Sequence, residues 1–153
     1  MERTLVILKP CTIQRGLIGE IIARFEKKGL ILEGMKMTWL TDEILSEHYA
    51  HLKERSFFQW VKDAMAVCPV IVCCWKGVDA VNVVRTLAGS TNGRNAAPGT
   101  IRGDYSMSVQ ENIVHASDSP ETAAIELKRF FNEDELFSYE TKNLLSLYAN
   151  DEF

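Results

Sequence analysis

The chemistry of this chain gathers around one histidine, in the string Asn112-Ile113-Val114-His115-Ala116-Ser117-Asp118-Ser119-Pro120. Asn112 to Ala116 reads as a short strand, while Ser119, with Pro120 and Glu121 behind it, carries the start signals of a helix. His115 therefore falls at a strand end. A neutral imidazole, with an ordinary pKa of about 6.5, is a competent nucleophile near neutral pH once a partner on its other nitrogen fixes tautomer and direction. By itself, a histidine at a strand end serves structure as readily as catalysis, so its neighbours must decide.

Other reactive side chains are less telling. His48 and His51 have metal-like H-x-x-H spacing, but no third ligand stands near them in sequence, and they read as surface histidines of a helix. Cys11, Cys68, Cys73 and Cys74 show no C-x-x-C pattern and read as reduced, structural thiols. Cys73 and Cys74, adjacent in an apolar strand, should point to opposite sheet faces. No G-x-x-x-x-G-K-(S/T) phosphate loop occurs.

The elements that must position these groups follow from periodicity. Thr4 to Leu8 is a buried-type strand ended by Lys9-Pro10, and Ile18, Ile21, Ile22 and Phe25 recur at helical spacing before Lys27-Lys28-Gly29. Met35, Met37 and Trp39 alternate with Gly34, Lys36 and Thr38, the pattern of a half-buried strand. Thr41 or Asp42 can cap a short helix through Tyr49 and Leu52, and a second runs from Phe57 to Met65. Val70 to Trp75 is β-branched and central in character, and Val81, Val84 and Ala88 mark a helix ending at Gly89. A long loop containing Gly89 to Gly103 precedes the His115 strand, and Ala123, Leu127, Phe130 and Phe131 make one apolar helix face. The order is βαββαβ with an inserted helical hairpin, which predicts an α+β, ferredoxin-like domain spanning 1–153, with helices free to cover one face of a four-stranded antiparallel sheet. Asn132 to Phe153 is acidic and weakly patterned.

Composition narrows the partners. With 153 residues, 46% of them apolar, the chain can bury a core without disulfides or structural metal. A net charge of −4 argues against affinity for a nucleic-acid backbone, so an anionic ligand must be met by a local cluster of cations. The longest apolar run, Val67 to Trp75, is too short for a membrane span, and the N-terminus does not read as a signal peptide, which leads to the expectation of a cytoplasmic protein.

The His115 string resembles the active-site signature of nucleoside diphosphate kinases, Asn-x-x-His-(Gly or Ala)-Ser-Asp. The resemblance extends through Lys9-Pro10, Gln14-Arg15-Gly16, His48-Tyr49, Arg55-x-Phe57-Phe58 and Pro98-Gly99-Thr100-Ile101-Arg102-Gly103-Asp104. It implies reversible transfer of a γ-phosphate from nucleoside triphosphate to diphosphate through a phosphohistidine on His115. Glu126 is then the partner of the imidazole, Tyr49 its neighbour, and Lys9, Arg85 and Arg102 the phosphate cations. Thr91 adds a hydroxyl, Asn112 and Lys9 hold the sugar 3′-hydroxyl, and Phe57, Val61 and Val109 line the base site, which accepts any base and either sugar. Mg²⁺ is carried by the nucleotide phosphates with no protein ligands, and the assembly implied is a homohexamer, with a tetramer as alternative. The rivals are a family member serving only regulation and a nucleic-acid-binding ferredoxin-like module, which the charge disfavours.

Three positions depart from the usual family pattern: Cys11-Thr12 after Lys9-Pro10, Ser56 between Arg55 and Phe57, and Gly93, where proline is frequent. If Gly93 had a negative φ and an unpaired N–H, proline there would stabilise the fold by roughly 0.4–1 kcal/mol.

Overall fold

The computed structural model describes residues 1–142 and 144–152. Strands β1 (Glu2–Leu8), β2 (Ile31–Thr38), β3 (Val70–Gly77) and β4 (Val114–Ala116) form one antiparallel sheet in the order β2-β3-β1-β4. The helices are α1 (Pro10–Gln14), α2 (Ile18–Lys28), α3 (Asp42–His48), α4 (Phe58–Met65), α5 (Ala80–Ala88), α6 (Ile101–Tyr105), α7 (Pro120–Phe130) and α8 (Leu144–Leu147). This is the ferredoxin-like α+β arrangement, with α3 and α4 as the inserted hairpin.

Helices cover both faces of the sheet, not one. The central strands demand it, because Leu5 to Leu8 and Val70 to Trp75 are apolar at every position, and consecutive strand residues point to opposite faces. Val6, Leu8, Cys73 and Trp75 pack with Ile21 and Phe25 of α2 and Val84 and Ala88 of α5. Leu5, Ile7, Val72 and Cys74 pack with Leu45, Met65, Leu127 and Phe130 from α3, α4 and α7. Cys73 and Cys74 thus divide between the two cores, as adjacent strand residues must.

Local signals set the ends. Thr41 Oγ1 accepts the Ile44 N–H at 3.2 Å and starts α3, and Ser119 Oγ accepts the Thr122 N–H at 3.1 Å and starts α7. Gly29 closes α2 at φ 101°, a left-handed conformation that suits glycine. Three short helices lack a clear sequence signal: α1, opened by Pro10, α6, inside the long loop and capped by Thr100, and α8 in the weakly patterned C-terminal stretch.

β2 exists where the alternation placed it, but the apolar set faces out. Met35, Met37 and Trp39 are 51, 57 and 59% exposed, while Gly34 is buried under Phe131 and Leu136. β2 is an edge strand, and a bulge between Leu32 and Gly34 shifts its register with β3. Beside the bulge, the chain after α7 covers the strand: the Phe137 N–H donates to Glu33 O at 2.7 Å, and the Tyr139 hydroxyl donates to Leu32 O at 2.8 Å.

Gly93 does not meet the condition set for proline. It lies in a 3-10 turn, Gly93–Asn95, and its N–H donates to Ser108 O at 3.0 Å. A Cβ there would collide with the carbonyl and side chain of Ser106. Gly93→Pro is therefore expected to destabilise, by about 1–3 kcal/mol from crowding and the lost hydrogen bond together. Thermal melting at fixed protein concentration checks this, with an unchanged or raised Tm as the contrary result.

Candidate active site

A cleft of about 1070 Å³ opens between the His115 end of the sheet, the α3–α4 hairpin and the long loop. Its walls include Lys9, Tyr49, Phe57, Val61, Arg85, Thr91, Arg102, Val109, Asn112, His115 and Glu126, so the fold brings together every residue singled out from the sequence. They come from far apart: Lys9 follows β1, Tyr49 follows α3, Phe57 and Val61 open the second helix of the hairpin, Arg85 is on α5, and Arg102 is on α6.

His115 is set in place by backbone pairing and by strain. In the antiparallel ladder β4 pairs with β1 through Val6 with Ala116, Ile7 with His115 and Leu8 with Val114. Immediately before it, the Val114 N–H donates to Asn112 O at 2.9 Å across Ile113, whose φ is +73°. This is a γ-turn of the rare positive-φ kind, and a β-branched residue there is strained by about 1–3 kcal/mol. Its surroundings hold it: Ile113 is fully buried, and its carbonyl accepts the Lys9 N–H at 3.0 Å and the Thr12 hydroxyl at 2.5 Å. The same bonds tie Lys9 to the base of β4.

His115 Nε2 lies 2.9 Å from Glu126 Oε1, and Ser117 Oγ donates to Glu126 Oε2 at 2.5 Å. Burial works to raise the Glu126 carboxyl, but the bonds from His115 and Ser117 outweigh it and the net direction is down. An ionised carboxylate only accepts, so the imidazole proton sits on Nε2 and the Nδ1 lone pair is the one available to the cleft.

The cations are held chiefly by backbone carbonyls. Lys9 Nζ donates to Gln110 O at 3.0 Å, and burial takes its pKa down to about 8, with Arg102 adding to the fall and Cys11 and Glu111 opposing it. Arg102 donates to Asn112 O, Gly89 O and Val114 O at 3.1, 2.9 and 2.7 Å, three of its five N–H groups, and burial lowers it to about 10. Arg85 Nη1 instead pairs with Asp118 at 2.5 Å. Asn112 donates to Thr91 O at 3.0 Å, while its buried Oδ1 has no partner among the described residues.

Three neighbours have no role assigned from sequence, and the expectation of a surface His48 is overturned by the packing of α3 onto the core. His48 is buried, its ring edge-on to those of His115, Tyr49 and Phe130 at 4.5, 4.7 and 5.2 Å, and burial followed by the closeness of His115 takes its pKa down to about 3. Arg129 Nη1 donates to His48 Nδ1 at 3.3 Å, and Ser117 supports Glu126. Arg129 and His48 lie 81 residues apart in sequence and the Ser117 contact depends on helix phase; only the adjacency of His48 to Tyr49 and of Ser117 to the His115 string pointed to them. His51 is exposed, so the H-x-x-H pair does not act together.

Fold and cleft define a ferredoxin-like domain built around a histidine ringed by cations. The family profile described as nucleoside diphosphate kinase matches residues 2–136. A nucleoside diphosphate kinase of Parabacteroides distasonis is 86% identical over the full length of both chains, and one of Pyrococcus abyssi is 50% identical over 90% of this chain and 89% of its own. Among solved structures, a halophilic nucleoside diphosphate kinase from Halobacterium salinarum in complex with CDP superposes with a TM-score of 0.94 at 40% identity, covering 96% of this chain and 98% of that one. The chain belongs to the nucleoside diphosphate kinase family.

The charge on Lys9 gives a pH test. Its ammonium is present below a pKa of about 8 and lost above it, so nucleotide affinity should fall as pH rises through that value, by about tenfold if one charged hydrogen bond is lost. Lys9→Met should bind weakly throughout and show no inflection there. Calorimetric titration with a nucleoside diphosphate between pH 6.5 and 9.5 measures it, and an inflection that survives in Lys9→Met assigns the titration elsewhere.

Proposed function

We propose that the protein catalyses reversible ping-pong transfer of the γ-phosphate from nucleoside triphosphates to nucleoside diphosphates, with His115 Nδ1 as nucleophile. The observation that carries this is the 2.9 Å bond between His115 Nε2 and Glu126, which commits the ring proton and leaves Nδ1 toward a cation-lined cleft. In the first half-reaction the Nδ1 lone pair forms a bond to the γ-phosphorus while the bond to the β–γ bridging oxygen breaks. The diphosphate leaves with the bond pair. In the second, a terminal β-phosphate oxygen of the acceptor attacks the phosphohistidine and Nδ1 recovers its lone pair.

Phosphoryl transfer asks chiefly for positioning and charge stabilisation. Lys9, Arg85 and Arg102 supply the charge, and Thr91 and Tyr49 add hydroxyls. Arg102 is already oriented by its three carbonyls, whereas Arg85 exchanges Asp118 for phosphate when nucleotide arrives. The unpartnered Oδ1 of Asn112 suits a sugar 3′-hydroxyl beside Lys9. Phe57, Val61 and Val109 offer the base an aromatic face and methyl groups without hydrogen-bonding groups, which favours no base. The regulatory-only and nucleic-acid-binding readings gain nothing from this cleft.

Mg²⁺ belongs with the substrate. Of the carboxylates lining the cleft, Glu47 pairs with Arg129, Asp118 with Arg85 and Glu126 with His115, so among the described residues the wall offers no free oxygen cluster. Carried in with the nucleotide, Mg²⁺ would supply positive charge to the phosphates. Among the described residues no helix is long and apolar enough to cross a membrane, and we assign the protein to the cytoplasm, where nucleotides are. We assign it to a homohexamer rather than a tetramer; the exposed Met35 and Met37 of β2, with Trp39 just beyond it, support self-association, and native mass measurement separates the two.

With γ-labelled ATP, Mg²⁺ and no acceptor, the protein should take up acid-labile label, and His115→Ala should take up none while keeping its fold. Label retained on His115→Ala removes His115 from the nucleophile role. Glu126→Gln keeps shape but loses the charged acceptor and should lower kcat by about 10-fold or more, with nucleotide affinity little changed. Steady-state and binding measurements on that variant decide it, an unaltered kcat meaning that another group orients the ring.

A further inference from the structure

Three donor atoms meet on the side of His115 away from the attacking nitrogen. One potential ligand atom from each of His48, His115 and Glu126 lies within 4.8 Å of those from the other two. Glu126 Oε1 is 2.9 Å from His115 Nε2 and 3.6 Å from His48 Nδ1. Two imidazoles and one carboxylate are a known tetrahedral zinc set with a fourth position open, and bonds of about 2.0–2.2 Å place such ligands about 3.3 Å apart. The separations of 2.9 and 3.6 Å bracket that spacing, and an ion would replace the hydrogen bond between His115 and Glu126. We propose that His48, Glu126 and His115 form a binding site for a divalent transition metal ion such as Zn²⁺, and that the ion shuts off the nucleophile.

Each ligand is prepared. His48 Nδ1 accepts from Arg129 Nη1 at 3.3 Å, so that nitrogen bears a lone pair and no proton. Arg129 is the group that must yield, the planar guanidinium shifting as one unit, and its Nε bond to Glu47 at 2.8 Å gives it a second partner on the other side. Ser117 steadies Glu126 from behind, and three aromatic rings fix the plane of His48. Partners behind a ligand raise metal affinity in this way.

The shut-off follows from where one proton goes. In the metal-free protein the neutral His115 ring carries its proton on Nε2 and its lone pair on Nδ1. Coordination takes the Nε2 lone pair, so the proton moves to Nδ1 and the ring stays neutral, with no proton gained or lost. The lone pair that attacks phosphorus is replaced by an N–H. Binding of the ion is independent of the proposed reaction; its inhibitory effect rests on that reading of His115.

The test is a titration of the full chain with Co²⁺, without nucleotide, followed by visible d–d absorption. One tetrahedral-type ion per chain is expected, displaced by Zn²⁺. His48→Gln and His115→Gln should each weaken it by at least about tenfold, the range seen when even supporting partners of ligands are removed. Cys11→Ser and Cys68→Ser should leave it unchanged. His115→Gln, at the cleft surface, keeps the test decisive should the buried His48→Gln not fold. Preincubation with Zn²⁺ should suppress acid-labile labelling of the wild type, and a chelator should restore it. No band, or a band indifferent to both histidine variants, overturns the site. Binding at these residues with undiminished labelling overturns the shut-off. Metal-free protein that takes no label overturns the phosphohistidine reading instead.

Discussion

The bond between His115 and Glu126 is the constraint on which the cleft depends. It joins a three-residue edge strand to a helix that begins only four residues beyond it, and it is short because both ends are fixed independently. β4 takes its height from pairing with β1. α7 takes its phase from Leu127 and Phe130, which are buried against the sheet face carrying Leu5 and Ile7. Ser119 begins the helix at a position that turns Glu126 inward, toward His115. A carboxylate in so dry a place would be expensive without donors, and His115 and Ser117 are those donors. Packing and polar satisfaction here have a single solution.

The strained turn at Ile113 belongs to the same solution. Its positive φ turns the carbonyl of Ile113 toward Lys9 and Thr12, which secures the chain leaving β1, while Asn112 O and Val114 O on either side accept from Arg102. A cation from α6 and the segment carrying a second cation are thereby clamped to the root of the histidine strand. The strain of about 1–3 kcal/mol is matched by the burial of Ile113, since an isoleucine fully removed from water contributes about 1.5–3 kcal/mol, and the bonds that its carbonyl accepts from Lys9 and Thr12 add to the compensation. The surrounding core thus over-determines a backbone conformation that no local preference would choose.

What could be read in advance follows the range of the interactions. Strand and helix identities are written in periodicities of two and about four, and the caps at Thr41 and Ser119 are single-residue signals, so both were legible. The chemistry of the cleft was legible through contiguous strings around Lys9, Arg102 and His115. Outward-facing Met35 and Met37 were not, because alternation gives a strand two faces without saying which is covered, and a bulge at Glu33 can reverse the assignment. Gly93 was opaque for a different reason: its N–H partner, Ser108, and its close neighbour, Ser106, are set by the path of a loop. The buried partnership of His48 with His115, 67 positions apart by their numbers, depends on two helices and a strand meeting at once.

Charge shows the same separation between composition and place. The chain as a whole is acidic, yet the cleft concentrates Lys9, Arg85 and Arg102. Holding cations with carboxylates would have neutralised the cleft and left an arriving phosphate to compete for every one of them. Lys9 and Arg102 are held by carbonyl oxygens instead, which orient a cation without cancelling its charge, and of these three Arg85 alone has a resident anion to displace. Burial drives Lys9 and Arg102 toward their neutral forms, so the free cleft is electrostatically unsatisfied. Under the proposed function, a polyphosphate relieves that condition, and relief is greatest where negative charge spreads across several oxygens at once, as it does on a phosphoryl group in transfer. On the reaction proposed for this cleft, cations oriented by carbonyls are the arrangement that favours the moving phosphoryl group over a resting anion of lesser charge.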